Sequence, residues 1–173
     1  MVFTKRSDYG LRAVLELAAS YGQGPLSARE IAQRGGLPEP FVRKLLQRLA
    51  DARIVEAQRG RRGGYALAQA PETISLLRVL EAFEDLAPVR CLRRPSAGSN
   101  VVDGAPALDA EGPCAAEVEE ERCPARAAWA VVDRRLRRLL ETITLAELLR
   151  EVRAQGFRLG WDSQAATRSG KEA

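Results

Sequence analysis

The chain contains 173 residues, of which 46% are hydrophobic and 29% are charged, and it carries a net charge of +4 without any histidine. This length suits one hydrophobic core with an appended element, and no apolar run reaches the roughly 18 residues of a membrane-spanning helix. Since Met1-Val2-Phe3-Thr4-Lys5-Arg6 lacks the apolar core of a signal peptide, we expect a cytoplasmic protein. The absence of histidine excludes histidine ligands and imidazole catalysis, and without a nucleophile–base pair or phosphate loop we expect no enzyme.

The charge is unevenly distributed along the chain. Residues 1–70 contain 12 basic and 6 acidic residues, a net +6, whereas residues 71–173 contain 15 basic and 17 acidic residues, a net −2. A positive half of this kind is the electrostatic footprint of a nucleic-acid-binding surface.

The first predicted helix begins at Ser7 or Asp8 and ends at Tyr21, before Gly22-Gln23-Gly24-Pro25. Apolar residues recur at helical spacing, so we expect one side of this helix to face the core. The predicted inward stripe consists of Leu11, Val14, Leu15, Ala18 and Tyr21.

Two further helices follow, joined by a tight turn. Ser27-Ala28-Arg29-Glu30 has the pattern of a capping box, so the second helix begins near Ser27; it ends at Gly35, because glycine closes helices in the left-handed conformation. Pro38 and Pro40 fall in the first turn of the third helix, where a missing N–H does no damage. Its inward stripe is Val42, Leu45, Leu46 and Leu49. Its outer face is basic and carries Arg43, Lys44 and Arg48.

A two-stranded ribbon follows the third helix. Ile54 and Val55 pair in this prediction with Tyr65, Ala66 and Leu67, across the connection Arg59-Gly60-Arg61-Arg62-Gly63-Gly64. Glycine lets a backbone approach a phosphate closely, and arginine can enter a narrow minor groove. Two helices joined by a tight turn are equally consistent with an ordinary helical hairpin. The basic β-hairpin that follows them in the chain indicates a winged helix, which binds a DNA duplex.

The second half of the chain alternates short helices with one long helix. A helix from Ile74 to Phe83 buries Ile74, Leu77, Val79, Leu80 and Phe83 in this prediction. The long helix runs from Ala125 to Thr142, roughly 27 Å, and is too one-sided for a small winged domain to cover, so we expect a second copy of the chain to cover it. Its apolar face consists of Trp129, Val132, Leu136, Leu139, Leu140 and Ile143. Thr144 caps a last helix to Arg153 with Leu148 and Val152 facing inward, and residues 163–173 read as a disordered tail.

Residues 88–124 form a predicted loop that holds five of the nine prolines and all three cysteines, Cys91, Cys114 and Cys123. Thiolates bind iron–sulfur clusters and zinc, but the gaps of 22 and 8 residues lack the compact spacing of a zinc site. Thiol oxidation is an alternative, because Arg90, Arg93 and Arg94 surround Cys91 in the sequence, although the acidic residues near Cys123 oppose it there; these are Glu117, Glu119, Glu120 and Glu121. The remaining interpretation is that the three cysteines lie in this loop by chance and share no chemical role.

Three segments together resemble the Rrf-2-type winged-helix transcriptional regulators, a family that includes IscR, NsrR, RirA and CymR. They are residues 4–13 (TKRSDYGLRA), residues 59–67 (RGRRGGYAL) and residues 123–129 (CPARAAW) leading to residues 142–149 (TITLAELL). The resemblance covers residues 1 to about 150. It implies a homodimer that binds double-stranded DNA and is joined through the long helix after the cysteine loop.

The resemblance also implies a sensor. In the sensing members three loop cysteines bind an iron–sulfur cluster, of the 2Fe-2S or 4Fe-4S type, and position by position these match Cys91, Cys114 and Cys123. Asp8 occupies the position from which NsrR-like members supply a carboxylate from the partner subunit; helix capping is its alternative role. The first cysteine gap is longer than usual for the family, and Arg126 stands near the place of the histidine ligand in IscR.

The third helix and the wing supply the candidate DNA-binding residues. In the dimer that the resemblance implies, two third helices enter successive major grooves, so the operator is an imperfect inverted repeat with half-sites roughly 34 Å apart. Glu39 can accept a hydrogen bond from cytosine N4, and Arg43 can bridge guanine O6 and N7. The predicted contact residues are Ser27, Glu39, Pro40, Arg43, Lys44, Arg59, Arg61, Arg62 and Tyr65.

The predicted fold is therefore mainly α, a winged helix-turn-helix domain with a two-stranded β wing and a long C-terminal dimerisation helix. We expect four regions: a DNA-binding domain (1–87), a sensor loop (88–124), a dimerisation helix with a final short helix (125–160) and a disordered tail (161–173). A winged-fold adaptor that binds proteins instead of DNA is the competing class, and the +6 of residues 1–70 argues against it.

Overall fold

The computed structural model describes residues 3–60, 63–89, 92, 123–157 and 159. These residues form six α-helices, one antiparallel pair of strands and a short 3-10 turn at Pro71–Thr73. The elements are α1 (Lys5–Ala19), α2 (Ala28–Gly35), α3 (Glu39–Asp51), β1 (Val55–Gln58), β2 (Gly64–Leu67), α4 (Leu76–Glu81), α5 (Pro124–Thr142) and α6 (Leu145–Ala154). The predicted mainly helical fold with a two-stranded wing is confirmed. No helix in these ranges is long and apolar enough to span a membrane.

The chain divides into two compact units. Of the described residues, the first unit contains those up to Glu84 together with those from Arg137 onward, and the second contains those between Asp85 and Leu136. The four regions expected from the sequence, with boundaries after residues 87, 124 and 160, stay a prediction. The predicted disordered tail and most of the predicted cysteine loop lie outside the described residues.

Helix α1 begins earlier and buries a different face than predicted. The Thr4 hydroxyl oxygen accepts a hydrogen bond from the Ser7 backbone N–H at 3.3 Å, so the helix starts at Lys5. It ends at Ala19, which leaves the Tyr21 side chain exposed. A Cβ on Gly10 would lie 2.1 Å from the Phe83 ring, because this helix packs its glycine face closely against that ring. Of the predicted stripe Val14 and Ala18 are buried, Leu11 and Leu15 are half-buried, and Gly10, Ala13 and Leu17 face the core instead.

Helices α2 and α3 follow the predicted pattern closely. The Ser27 side chain accepts from the Glu30 N–H while the Glu30 carboxylate accepts from the Ser27 N–H at 2.8 Å, which confirms the capping box. Helix α2 ends at Gly35, as predicted, and the left-handed conformation is adopted by the next residue, Gly36, with φ 62°. Pro40 lies in the first turn of α3, as predicted, whereas Pro38 occupies the position directly before the helix and makes no side-chain capping bond. Its inward stripe is confirmed, since Val42, Leu45, Leu46 and Leu49 are at most 1% exposed.

The C-terminal helix belongs to the same core as the first three helices. The Leu76 N–H donates to the Ile143 carbonyl at 2.8 Å, and the Leu145 N–H donates to the Ile74 carbonyl at 2.9 Å. This short backbone ladder joins the start of α4 to the start of α6. Thr144 caps α6 as predicted, but the ladder turns Leu145 and Leu149 into the core and leaves the predicted Leu148 and Val152 only half-buried.

The capping box predicts an acid-dependent loss of stability. Hydrogen bonds from the Ser27 side chain and backbone lower the pKa of Glu30 below its ordinary value. A carboxyl whose folded-state pKa is lowered stabilises the fold above its unfolded-state pKa, and this contribution disappears as the pH falls through the folded-state pKa. We expect Glu30→Gln to lower the melting temperature near pH 7, and the difference from wild type to shrink as the pH falls below 4.5, the ordinary pKa of glutamate, and through the lowered pKa of the folded state. A difference that is constant with pH would contradict this role of the Glu30 charge.

Candidate nucleic-acid interface

The start of α3 presents an exposed pair of charged side chains. The Arg43 guanidinium lies 2.7 Å from the Glu39 carboxylate, one turn apart, and its side chain is 65% exposed. Pro40 and Lys44 are also exposed on this helix. These side chains point outward because the four buried apolar residues of α3 lie on the opposite side of the helix and pack in the core.

The wing is attached to the start of α2 by two backbone hydrogen bonds. The Leu26 N–H donates to the Tyr65 carbonyl at 2.9 Å, and the Tyr65 N–H donates to the Leu26 carbonyl at 2.7 Å. A Cβ on Gly64 would lie 2.5 Å from the Leu26 carbonyl oxygen, so glycine permits this close approach. We call this pair of bonds the wing clip. It brings Tyr65 beside Ser27, the capping residue of α2, and both side chains are half-buried.

The wing itself is a short antiparallel hairpin. Val55 pairs with Leu67 and Gln58 pairs with Gly64. At its tip the Gly63 N–H donates to the Gly60 carbonyl at 2.9 Å, and Gly60 adopts a positive φ of 126° that side chains rarely accept. Arg59 is exposed where β1 ends, whereas Arg61 and Arg62 lie outside the described residues.

An open depression next to the start of α3 was not predicted from the sequence. Tyr9 of α1 and Phe41 of α3 meet edge to face, with ring centroids 5.6 Å apart. They border a space of about 330 Å³ together with Pro38, Pro40 and Lys44. No motif marks such a pair, because Tyr9 and Phe41 lie on different helices and only their packing brings them together. We call this feature the aromatic depression.

The described part of the predicted sensor is Cys123. It is half-buried directly before α5, and its sulfur accepts a hydrogen bond from the Arg126 backbone N–H at 3.5 Å. Cys91 and Cys114 lie outside the described residues. Within those ranges no three His, Cys, Asp or Glu side chains are grouped so that they could hold a metal ion.

Asp8 does not cap α1. Thr4 fills that position, and the Asp8 carboxylate instead lies 3.2 Å from the Arg12 guanidinium one turn further along the helix. The capping alternative for Asp8 is therefore wrong. About half of the Asp8 side chain is exposed, so its carboxylate is accessible from outside the chain.

Comparison with known proteins places these features in a family. Residues 3–151 match the family profile described as Rrf2, iron-dependent transcriptional regulator. A putative HTH-type transcriptional regulator of Synechocystis is 48% identical over 85 residues, 49% of this chain and 58% of that protein. Protein rrf2 of Nitratidesulfovibrio vulgaris is 33% identical over 152 residues, 87% of this chain and 89% of that protein.

Two solved structures are similar over most of the chain. The structure of T. potens IscR has a TM-score of 0.63 and 26% identity, and the match covers 93% of this chain and 95% of that one. The structure of CymR, described as the global cysteine regulator of B. subtilis, has a TM-score of 0.62 and 27% identity, covering 87% and 98%. Since the family profile spans nearly all of the described residues, the chain belongs to the Rrf2 family of transcriptional regulators, which are not enzymes.

Proposed function

We propose that two copies of this chain bind a double-stranded operator with imperfect inverted-repeat symmetry. We further propose that an iron–sulfur cluster on Cys91, Cys114 and Cys123 switches the affinity for DNA. The wing clip is the main support for DNA binding. It holds the basic hairpin against the helix-turn-helix formed by α2 and α3, and α3 exposes Arg43 and Lys44. A wing attached beside an exposed helix start supplies contacts to bases and to the DNA backbone from one compact unit.

In this proposal the first turn of α3 reads bases in the major groove. Arg43 can bridge guanine O6 and N7, and Glu39, which pairs with it at 2.7 Å, can accept from an adjacent cytosine N4. The wing arginines Arg59, Arg61 and Arg62 contact phosphates or the minor groove. Ser27, Pro40, Lys44 and Tyr65 complete the proposed contact set.

The proposed dimer is supported by the apolar side chains that α5 leaves exposed. Trp129 is 44% exposed and Leu139 is 59% exposed, and Val131 and Val132 are similarly open. Large exposed apolar side chains along one helix are typical of a protein interface. A second copy of the same helix is the simplest complement, since most oligomers of soluble proteins are symmetric.

The donor chemistry around Cys123 fits a thiolate ligand. Iron–sulfur clusters are held by negatively charged thiolates, and the N–H groups at a helix start favour negative charge. The Cys123 sulfur already accepts one such N–H at the start of α5. The accessible carboxylate of Asp8 in the partner subunit is the proposed fourth ligand. When bound, the cluster supplies a group sensitive to oxidants and iron supply, attached directly ahead of the proposed dimerisation helix.

Anaerobic purification tests the cluster. We expect a brown wild-type protein that contains iron and acid-labile sulfide, and a Cys123→Ala variant that is folded but colourless, because it lacks one thiolate ligand. Ser96→Ala is the matched control, since it changes the same predicted loop without removing a thiol. Duplex affinity should differ between the brown wild type and the colourless variant. An anaerobic wild type without iron would rule out the cluster and leave DNA binding to be tested separately.

Thiol oxidation is the second candidate, because Arg90, Arg93 and Arg94 place positive charge next to Cys91 in the sequence. In this reaction the Cys91 thiolate attacks one oxygen of hydrogen peroxide, the O–O bond breaks, and a sulfenic acid and hydroxide result; the hydroxide takes a proton from solvent to become water. A second cysteine thiol then condenses with it to a disulfide and releases another water. Loss of thiol titre on peroxide treatment of iron-free protein, with a parallel change in duplex affinity, would support this route.

A further inference from the structure

We infer that the aromatic depression seats one sugar–phosphate unit of a DNA strand, which makes Tyr9 and Phe41 part of the duplex-binding surface. This inference rests on the proposed DNA binding and adds helix α1 to a surface that otherwise consists of α3 and the wing. Three observations support it: the edge-to-face contact of Tyr9 and Phe41, the apolar residues that line the depression, and Lys44 beside them.

The depression is held open by packing between two helices. The Tyr9 ring meets the Phe41 ring at 89°, a stable edge-to-face arrangement, and the Arg12 guanidinium lies 5.9 Å from the centre of the Tyr9 ring. The ring of Tyr9 is therefore contacted from two sides and needs little reorganisation to receive a ligand. No described residue hydrogen-bonds to the Tyr9 hydroxyl, so that group can donate to an incoming oxygen.

The position of the depression around α3 identifies the part of the duplex that reaches it. Successive residues of an α-helix are about 100° apart, so the buried stripe of α3 places Pro40 and Lys44 outward and Phe41 on the flank that faces α1. The major groove is about 12 Å wide and the diameter of a helix is about 10–12 Å. When the outward residues of α3 face base edges, its flank is therefore against the backbone that forms one wall of the groove.

The chemistry of the depression matches that wall. Deoxyribose presents C–H groups that can pack against Pro38, Pro40 and the two aromatic rings, while the Lys44 ammonium and the Tyr9 hydroxyl can bind the adjoining phosphate. Backbone contacts of this kind fix the register of a protein on DNA without reading its sequence. We therefore expect Tyr9 to add affinity for every duplex alike and to leave base preference unchanged.

A hydroxyl-deletion experiment tests this inference. A duplex is first selected from a random pool with the wild-type protein, and the affinities of Tyr9→Phe and Lys44→Gln for it are measured. Tyr9→Phe should bind about tenfold more weakly or worse, since it loses one hydrogen bond to a charged oxygen, with unchanged salt dependence and base preference. Lys44→Gln should reduce the slope of log affinity against log salt by about one unit. Arg150→Gln on α6 is the matched control for charge and should change neither quantity.

Methylphosphonate substitution locates the contact. Neutralising the contacted phosphate in each half-site should weaken wild-type binding more than it weakens binding by Tyr9→Phe, because that variant has already lost the hydroxyl contact and keeps only the contact of Lys44. Wild-type affinity in Tyr9→Phe, or no phosphate whose effect depends on Tyr9, would overturn the inference while leaving DNA binding itself intact. A wild-type protein that selects no duplex would instead overturn the proposed function.

Discussion

Replacing Gly64 by alanine is expected to weaken duplex binding by at least about tenfold, because the wing can no longer attach to the start of α2. The new Cβ would lie 2.5 Å from the Leu26 carbonyl oxygen and 2.6 Å from its carbon. Both are backbone atoms, so relief requires the two chain segments to move apart, which lengthens or breaks the hydrogen bonds of the wing clip. Overpacking of this kind costs about 1–3 kcal/mol of folding stability, and the displaced wing removes its backbone contacts as well.

The matched control for Gly64→Ala is Gly35→Ala. A Cβ at Gly35 would lie 3.3 Å from the end of the flexible Leu37 side chain, which can move, and alanine suits the last turn of α2 better than glycine. We expect this variant to keep the melting temperature and the duplex affinity of the wild type to within a small margin. Gel-shift titration and thermal unfolding of both variants measure the contrast. If Gly64→Ala behaved like Gly35→Ala, the wing clip would not position the wing.

Truncation of Leu46 is expected to have the largest effect on stability. Leu46 is completely buried in the inward stripe of α3, and a buried leucine replaced by alanine costs about 2–5 kcal/mol, through lost burial and the cavity that remains. Urea unfolding of Leu46→Ala should show a lower midpoint with an unchanged slope. A loss below about 1 kcal/mol would mean that the space around Leu46 collapses or that this face is not the core.

The matched truncation is Leu139→Ala, because Leu139 is 59% exposed on α5. The same chemical change should cost a single chain no more than about 0.5 kcal/mol, since little apolar surface is buried there. If α5 forms the proposed dimer interface, this variant should instead dissociate at a higher protein concentration than the wild type, as measured by sedimentation. Self-association identical to that of the wild type would place the dimer contact elsewhere than at Leu139.

Local chemistry made some of these elements predictable from the sequence. The capping box of Ser27 and Glu30, the cap at Thr144 and the prolines at the start of α3 each involve groups within one turn of chain. The stripe of α3 was predictable because that helix is covered over one continuous face, so hydrophobic periodicity reports burial directly. The candidate DNA-contact residues on α3 were predictable from the same periodicity. The apolar stripe faces the core, so the charged side chains lie on the opposite, exposed side.

The buried faces of α1 and α6 were not predictable in the same way. In α1 the close approach of Phe83 makes Gly10 a buried position, although glycine carries no hydrophobic signal. In α6 the backbone ladder at Thr144 sets the rotation of the helix and turns Leu149 inward in place of Leu148. Both outcomes depend on a partner segment about seventy residues away along the chain, and periodicity within one helix contains no information about that partner.

The sequence by itself determined the type and order of the elements, the inner face of α3, and the family resemblance of its motifs, because these depend on neighbouring residues along the chain. Only the tertiary structure decided that β2 is attached to Leu26, that Tyr9 meets Phe41, and that α6 completes the core of the winged helix. Each of these contacts joins segments that are distant in sequence. Their geometry follows from how whole helices pack, which is a property of the folded chain and of no single stretch of it.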